Sequence, residues 1–158
     1  MKALTQVFTA CLFTLCAAFS PMLLAADRGE QKQVFGDYEV HYIGLNSSFL
    51  PPEAAEAYGI TRSRALGYIS VSILHNEDGS DMPVMPVAVS GNVTGKIRNL
   101  VGQSRELEFQ EIKETNAVYY ITTFRFDDED MYNIDLKATP EGQSRTFDVK
   151  FSQRFYEE

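Results

Sequence analysis

From Val34 onward the chain alternates apolar and polar residues with a period of two, and this pattern constrains its fold more than any other feature. In Tyr38-Glu39-Val40-His41-Tyr42, the residues Tyr38, Val40 and Tyr42 share one face, and Glu39 and His41 the other. Ile69, Val71 and Ile73 oppose Ser70 and Ser72. Val87, Val89 and Val93 follow Pro86, and Leu107 and Phe109 alternate with Glu106, Glu108 and Gln110. Val118, Tyr120, Phe124 and Phe126 continue the pattern, then Tyr132, Ile134 and Leu136, and last Phe147, Val149 and Phe151. Such runs are strands buried on one face and wet on the other, as in antiparallel sheets.

Turn residues fall between the runs, at Gly36-Asp37, Asp78-Gly79, Gly102 and Pro140-Glu141-Gly142. The spacing predicts an all-β fold of about seven or eight strands: a two-sheet antiparallel β-sandwich. It is immunoglobulin-like in architecture only, because the chain has no tryptophan and its two cysteines, Cys11 and Cys16, precede the first strand. One segment departs from the pattern. Pro51-Pro52-Glu53-Ala54-Ala55-Glu56-Ala57-Tyr58-Gly59 reads as a short helix, with proline in its first turn and a glycine stop. It sits in the longest connection, between Leu45 and Leu66.

The first 26 residues differ from the rest. Lys2 is their only charge, an apolar stretch runs from Val7 to Phe19, and Ala25-Ala26 leads into Asp27-Arg28-Gly29-Glu30. A basic start, a short apolar core and small residues before a polar junction predict a secretory signal, cut after Ala25 or Ala26. Left uncut, this segment could just span a bilayer as a helix, though Ser20-Pro21 interrupts it. Residues 27–32 then read as a linker and 33–158 as the β-sandwich domain. Both cysteines go with the signal, which excludes disulfides, thiolate metal sites and cysteine nucleophiles from the mature chain. Removal of Lys2 makes the formal charge of −8 one unit more negative, and an acidic surface disfavours nucleic acid as a partner.

Three groups of residues could carry function. The first follows the strand ending at His75. If residues 76–83 form a hairpin turn, Met82 and Met85 return close to His75, and imidazole with two thioethers suits copper(I). The same residues fit a plain packing role, with His75 capping the core and the methionines filling gaps under the loop. The second group is acidic: Glu77, Asp78 and Asp81 in that loop, and Asp127-Asp128-Glu129-Asp130 in another. Neither loop has the spacing of a calcium loop. The third is the long connection, which carries Phe49, Tyr58, Arg62 and Arg64. Aromatic and arginine residues are common anchors of protein interfaces, and long loops on rigid sandwiches often carry function. The alternative is a lid over one open end of the sandwich. No Gly-x-Ser-x-Gly elbow, His-Glu-x-x-His motif or phosphate-binding glycine loop is found, so the expectation is a non-enzyme without a cofactor.

The runs Phe35-Gly36-Asp37-Tyr38-Glu39-Val40-His41-Tyr42 and Asn46-Ser47-Ser48-Phe49-Leu50, with Tyr58-Gly59-Ile60, Ala117-Val118-Tyr119-Tyr120-Ile121 and Phe126-Asp127-Asp128-Glu129, carry a family resemblance. The chain resembles the secreted bacterial family catalogued as domain of unknown function 4426. The resemblance implies an exported, periplasmic β-sandwich of Gram-negative bacteria. That family has no established activity, so it assigns no functional residue. The resulting expectation is a periplasmic binding or accessory module for another envelope protein, using Phe49, Tyr58, Arg62 and Arg64. The alternative is a copper-binding or copper-delivery protein using His75, Met82 and Met85.

Overall fold

The computed structural model describes residues 31–76 and 85–157. The alternating runs become two antiparallel sheets. Sheet A is built from β1 (Gln31–Phe35), β2 (Tyr38–Asn46), β3 (Leu66–His75), β4 (Val87–Ala88), β7 (Gln110–Lys113) and β8 (Val118–Arg125). Its order is β1-β2-β3-β8-β7, and β4 also pairs with β3. Sheet B contains β5 (Gly91–Asn99), β6 (Ser104–Leu107), β9 (Met131–Pro140) and β10 (Phe147–Arg154), in the order β10-β9-β5-β6. The all-β sandwich expected from the sequence is the fold observed.

Each inner face is the apolar half of an alternation. Val40, Ile69, Val71 and Ile73 of sheet A meet Ile97, Ile134, Leu136 and Val149 of sheet B, all at most 1% exposed. Aromatic pairs close the two ends. At one, Phe35 stacks on Phe147 with centroids 4.7 Å apart. At the other, Phe155 lies between the edges of Phe124 and Tyr132 and beside Phe126, and is 1% exposed. The Tyr120 hydroxyl ties the sheets together. It accepts from the Gly91 amide at 2.6 Å and lies 2.8 Å from Glu111 Oε1 and 3.0 Å from the Gly91 carbonyl, either of which can take its proton. Burial first, and then the Glu111 carboxylate, push this phenol up to about 12.

Three details differ from the sequence reading. The run through Leu107 and Phe109 is two strands, not one. β6 pairs with β5 in sheet B and β7 with β8 in sheet A, so the chain changes sheets at Glu108 and Phe109. This split and the short β4 account for the extra strands. Sheet pairing also starts earlier than residue 33: Gln31 and Lys32 lie opposite Tyr42 and His41. Residues 27–30 of the expected linker, and the expected signal 1–26, lie outside the described residues. Finally, the long connection does not close an end of the sandwich. It folds into a 3-10 turn (Ser47–Phe49) and helix α1 (Pro52–Ala57), and these lie against the outer face of sheet A. Gly59 ends the helix at φ 67°, the left-handed stop that a glycine allows.

Gly67 on β3 is a position where no side chain fits. A Cβ there would fall 2.4 Å from the ring of Phe124, and that ring is held by Phe155 and Tyr132. Gly67→Ala is therefore expected to cost about 1–3 kcal/mol by overpacking, measured by urea denaturation. Phe124→Leu in the same chain should return part of that loss, a non-additive coupling that independent sites would not show.

Candidate functional site

Sheet A presents two outward features that sheet B lacks. The first is a polar cluster on β2. Because Glu39 and His41 are two residues apart on one strand, both point away from the core, and His41 Nε2 lies 2.8 Å from Glu39 Oε2. Lys32, brought opposite His41 by the β1–β2 register, donates to the same oxygen at 3.0 Å. Asn76 Nδ2 donates to Glu39 Oε1 at 3.4 Å. The bond from His41, then that from Lys32, hold the Glu39 carboxyl at about 2, against a burial effect of opposite sign. So acidic a group is a weak proton acceptor at neutral pH, and its charge is already met by Lys32. The arrangement staples β1 to β2.

The second feature is the connection 46–64 with the strands beneath it. Ser47, fully buried, bonds the Ser63 carbonyl through its hydroxyl at 3.2 Å and receives the Ser63 amide at 2.9 Å, which closes the base of the loop. Arg62 donates to the Ser48 carbonyl at 2.7 Å, and Ala55 of α1 is 2% exposed. Between α1 and the sheet is a cavity of about 240 Å³. Its walls are the aliphatic side chains of Leu50, Ile60, Ile112 and Ile121 and three tyrosines, Tyr58, Tyr68 and Tyr119. Glu114 also lines it and accepts a hydrogen bond from the Tyr58 hydroxyl. That bond raises the Tyr58 phenol above its ordinary value, and burial does the same to Tyr68. A larger hollow over sheet B, about 400 Å³, is lined largely by charges that pair among themselves: Lys96 with Glu106 at 3.1 Å and Lys137 with Asp148 at 2.7 Å.

The residues singled out in the sequence are distributed unevenly over these features. Tyr58 lines the cavity, Phe49 is 60% exposed beside it, and Arg62 and Arg64 are exposed, Arg62 being used to brace the loop. His75 ends β3 on the core face, its ring stacked on Tyr38 at 4.5 Å. Val87 of β4 lies opposite His75, so Met85 enters two residues from that pairing. Met85 is 83% exposed and fills no gap. Met82, with Glu77, Asp78 and Asp81, lies outside the described residues. The acidic turn at residues 127–130 spends its oxygens on backbone amides: Asp130 Oδ1 accepts from Met131 and Asp128 Oδ1 from Glu157. Among the described residues, no three His, Asp or Glu side chains converge as a metal site would need.

Sequence reasoning did not find Tyr68, Ile112, Glu114, Tyr119 and Ile121. For Tyr119 and Ile121 the signal was Val118-Tyr119-Tyr120-Ile121, an unbroken apolar run that implies burial on both faces of β8.

A family model described as a domain of unknown function, DUF4426, matches residues 32–158. The chain belongs to the DUF4426 family. A crystal structure of a DUF4426 protein from Pseudomonas aeruginosa PAO1 is 32% identical, with TM-score 0.68, over 82% of this chain and 97% of that one. FetP of uropathogenic Escherichia coli strain F11, expressed in the periplasm of E. coli, shares the fold at 13% identity and TM-score 0.56, over 80% of this chain and 93% of that one. Copper-reconstituted P19 of Campylobacter jejuni does so at 9% identity and TM-score 0.51, over 80% and 96%. No curated protein matches the chain.

The Glu39 cluster generates a pH prediction. A carboxyl whose folded value is lowered stabilises the fold above its ordinary value of 4.5, and that contribution is lost as the pH falls towards about 2. Glu39→Gln should be less stable than the wild type at neutral pH. The difference should close between pH 4.5 and pH 2, as read from denaturation midpoints along a pH series.

Proposed function

We propose that this DUF4426 protein is a periplasmic, non-catalytic binding or accessory module for another envelope protein, and that the connection 46–64 is its working surface. The observation that carries the reading is the way this connection is fixed. Ser47 and Arg62 close the connection on itself, Ala55 is buried and Tyr58 bonds Glu114 just beyond β7 of sheet A, while Phe49 and Arg64 remain on the outside. A rigid loop presenting an aromatic and an arginine is suited to recognition, because little side-chain or backbone freedom is lost on binding. The periplasmic compartment is supported by the signal-like residues 1–26 and by the DUF4426 resemblance. Among the described residues, no helix is long and apolar enough to cross a membrane.

A photo-crosslinking side chain placed at Phe49 in cells should give one dominant protein adduct. The same group at Thr94, on the outer face of sheet B, should give none. Arg64→Ala should weaken the Phe49 adduct while moving stability by no more than about 0.5 kcal/mol. Arg62→Ala should also lower the melting temperature, because it removes the brace to Ser48. Equal labelling from Phe49 and Thr94 would discard the reading.

A second reading is copper binding. It is supported by copper-reconstituted P19 and a copper-bound FetP variant, proteins that share the fold at low identity. In this chain the donors would be the imidazole of His75 and the thioethers of Met82 and Met85, soft ligands that favour copper(I). His75→Ala and Met85→Leu should each weaken copper(I) retention by about tenfold or more against a competing chelator, a drop of about 1.4 kcal/mol. Unchanged retention in both variants removes copper from consideration at this site.

A further inference from the structure

The cavity under α1 has a chemistry more specific than an apolar slot. Three tyrosines line it, and one of them, Tyr58, gives its hydroxyl proton to the Glu114 carboxylate. Among the described residues, the lining includes no lysine, arginine or histidine. Lys113, the neighbour of Glu114 in the chain, turns to Glu111 at 3.3 Å. Among the described residues, no lysine or arginine pairs with Glu114. One negative charge thus sits at an aromatic and aliphatic hollow with no cation among the described residues paired to it.

Electron-rich ring faces beside an unmet carboxylate attract a cation that also carries apolar surface. A bare divalent ion does not suit the site, because it needs several oxygen or nitrogen ligands and, among the described residues, Glu114 is the only carboxylate lining it. A neutral apolar ligand would strip water from that carboxylate and offer nothing in return. The volume of about 240 Å³ is below the range of about 300 Å³ and upward typical of sites for drug-sized ligands. The acidic chain, with a formal charge of −8, further favours a positive ligand.

We propose that this cavity binds a small organic ammonium cation, with its alkyl groups against Tyr58, Tyr68 and Tyr119 and its charge opposite Glu114. The inference rests on the reading of the connection face as a binding surface and names a ligand for it. Tyr58 has two tasks: its ring forms part of the wall, and its hydrogen bond fixes the carboxylate.

Choline is a suitable probe, and its neutral carbon isostere dimethylbutanol is the control. Calorimetric titration of the mature protein should show saturable choline binding, with the isostere at least about tenfold weaker. Glu114→Gln and Tyr119→Leu, both at surface positions, should each weaken choline by about tenfold while the melting temperature stays near that of the wild type. Co-sedimentation with phosphatidylcholine vesicles, competed by free choline, would assign the cation to a lipid headgroup. Choline binding without co-sedimentation would assign it to a free solute. Equal affinity for choline and the isostere, no saturable choline binding, or full affinity in both variants overturns the proposal. If choline fails while the Phe49 adduct persists, the cation is wrong and the binding surface stands. If both fail, the surface falls with it.

Discussion

Burial of β3 on both faces is the constraint around which the rest of the molecule is arranged. Ile69, Val71 and Ile73 enter the sandwich core, while Tyr68 and Ser72 on the opposite face are also at most 8% exposed. A strand so enclosed needs cover on its outer side. The chain supplies it from the segment that leads into β3, by folding residues 46–64 back over the sheet. The hollow between α1 and the sheet is what remains where that cover does not seat fully. Structure and candidate function therefore meet on the same strand: its inner residues hold the two sheets together, and its outer residues floor the cavity.

Much of this was legible in the sequence. Parity along each strand sorts core from surface: it placed Val40 and Tyr42 inward, and Glu39 and His41 outward on a shared face. The helix over 52–57 was visible from its leading prolines and from Gly59. The division of 104–113 between two sheets was not visible, for a simple geometric reason. Both inner faces look into one core, so a chain that switches sheets between Leu107 and Phe109 can keep its alternation. Period alone cannot record which sheet a strand joins.

The site was less legible than the fold. Tyr58 and Glu114 are 56 positions apart, and no local pattern announces their meeting. The Lys32 and Asn76 contacts to Glu39 depend on strand register, which is fixed only once hairpins and partners are chosen. For the stack of His75 on Tyr38, parity places both residues on the core side, but it is again the β2–β3 register that sets them opposite each other. Long-range pairing carries both the structural and the chemical content of this chain, and a single sequence shows one partner of each pair at a time.

Phe155 has a consequence for the order in which the core is completed. It is the wedge that fills one end of the core, held among Phe124, Phe126 and Tyr132. The Asp130 carbonyl receives its amide, and Asn46, on the second strand, bonds the next carbonyl along. Residues 110 positions apart must therefore meet before that end can close. Contacts of such long sequence separation are entropically costly to bring together, so this end of the sandwich is the part of the core expected to seal late in folding.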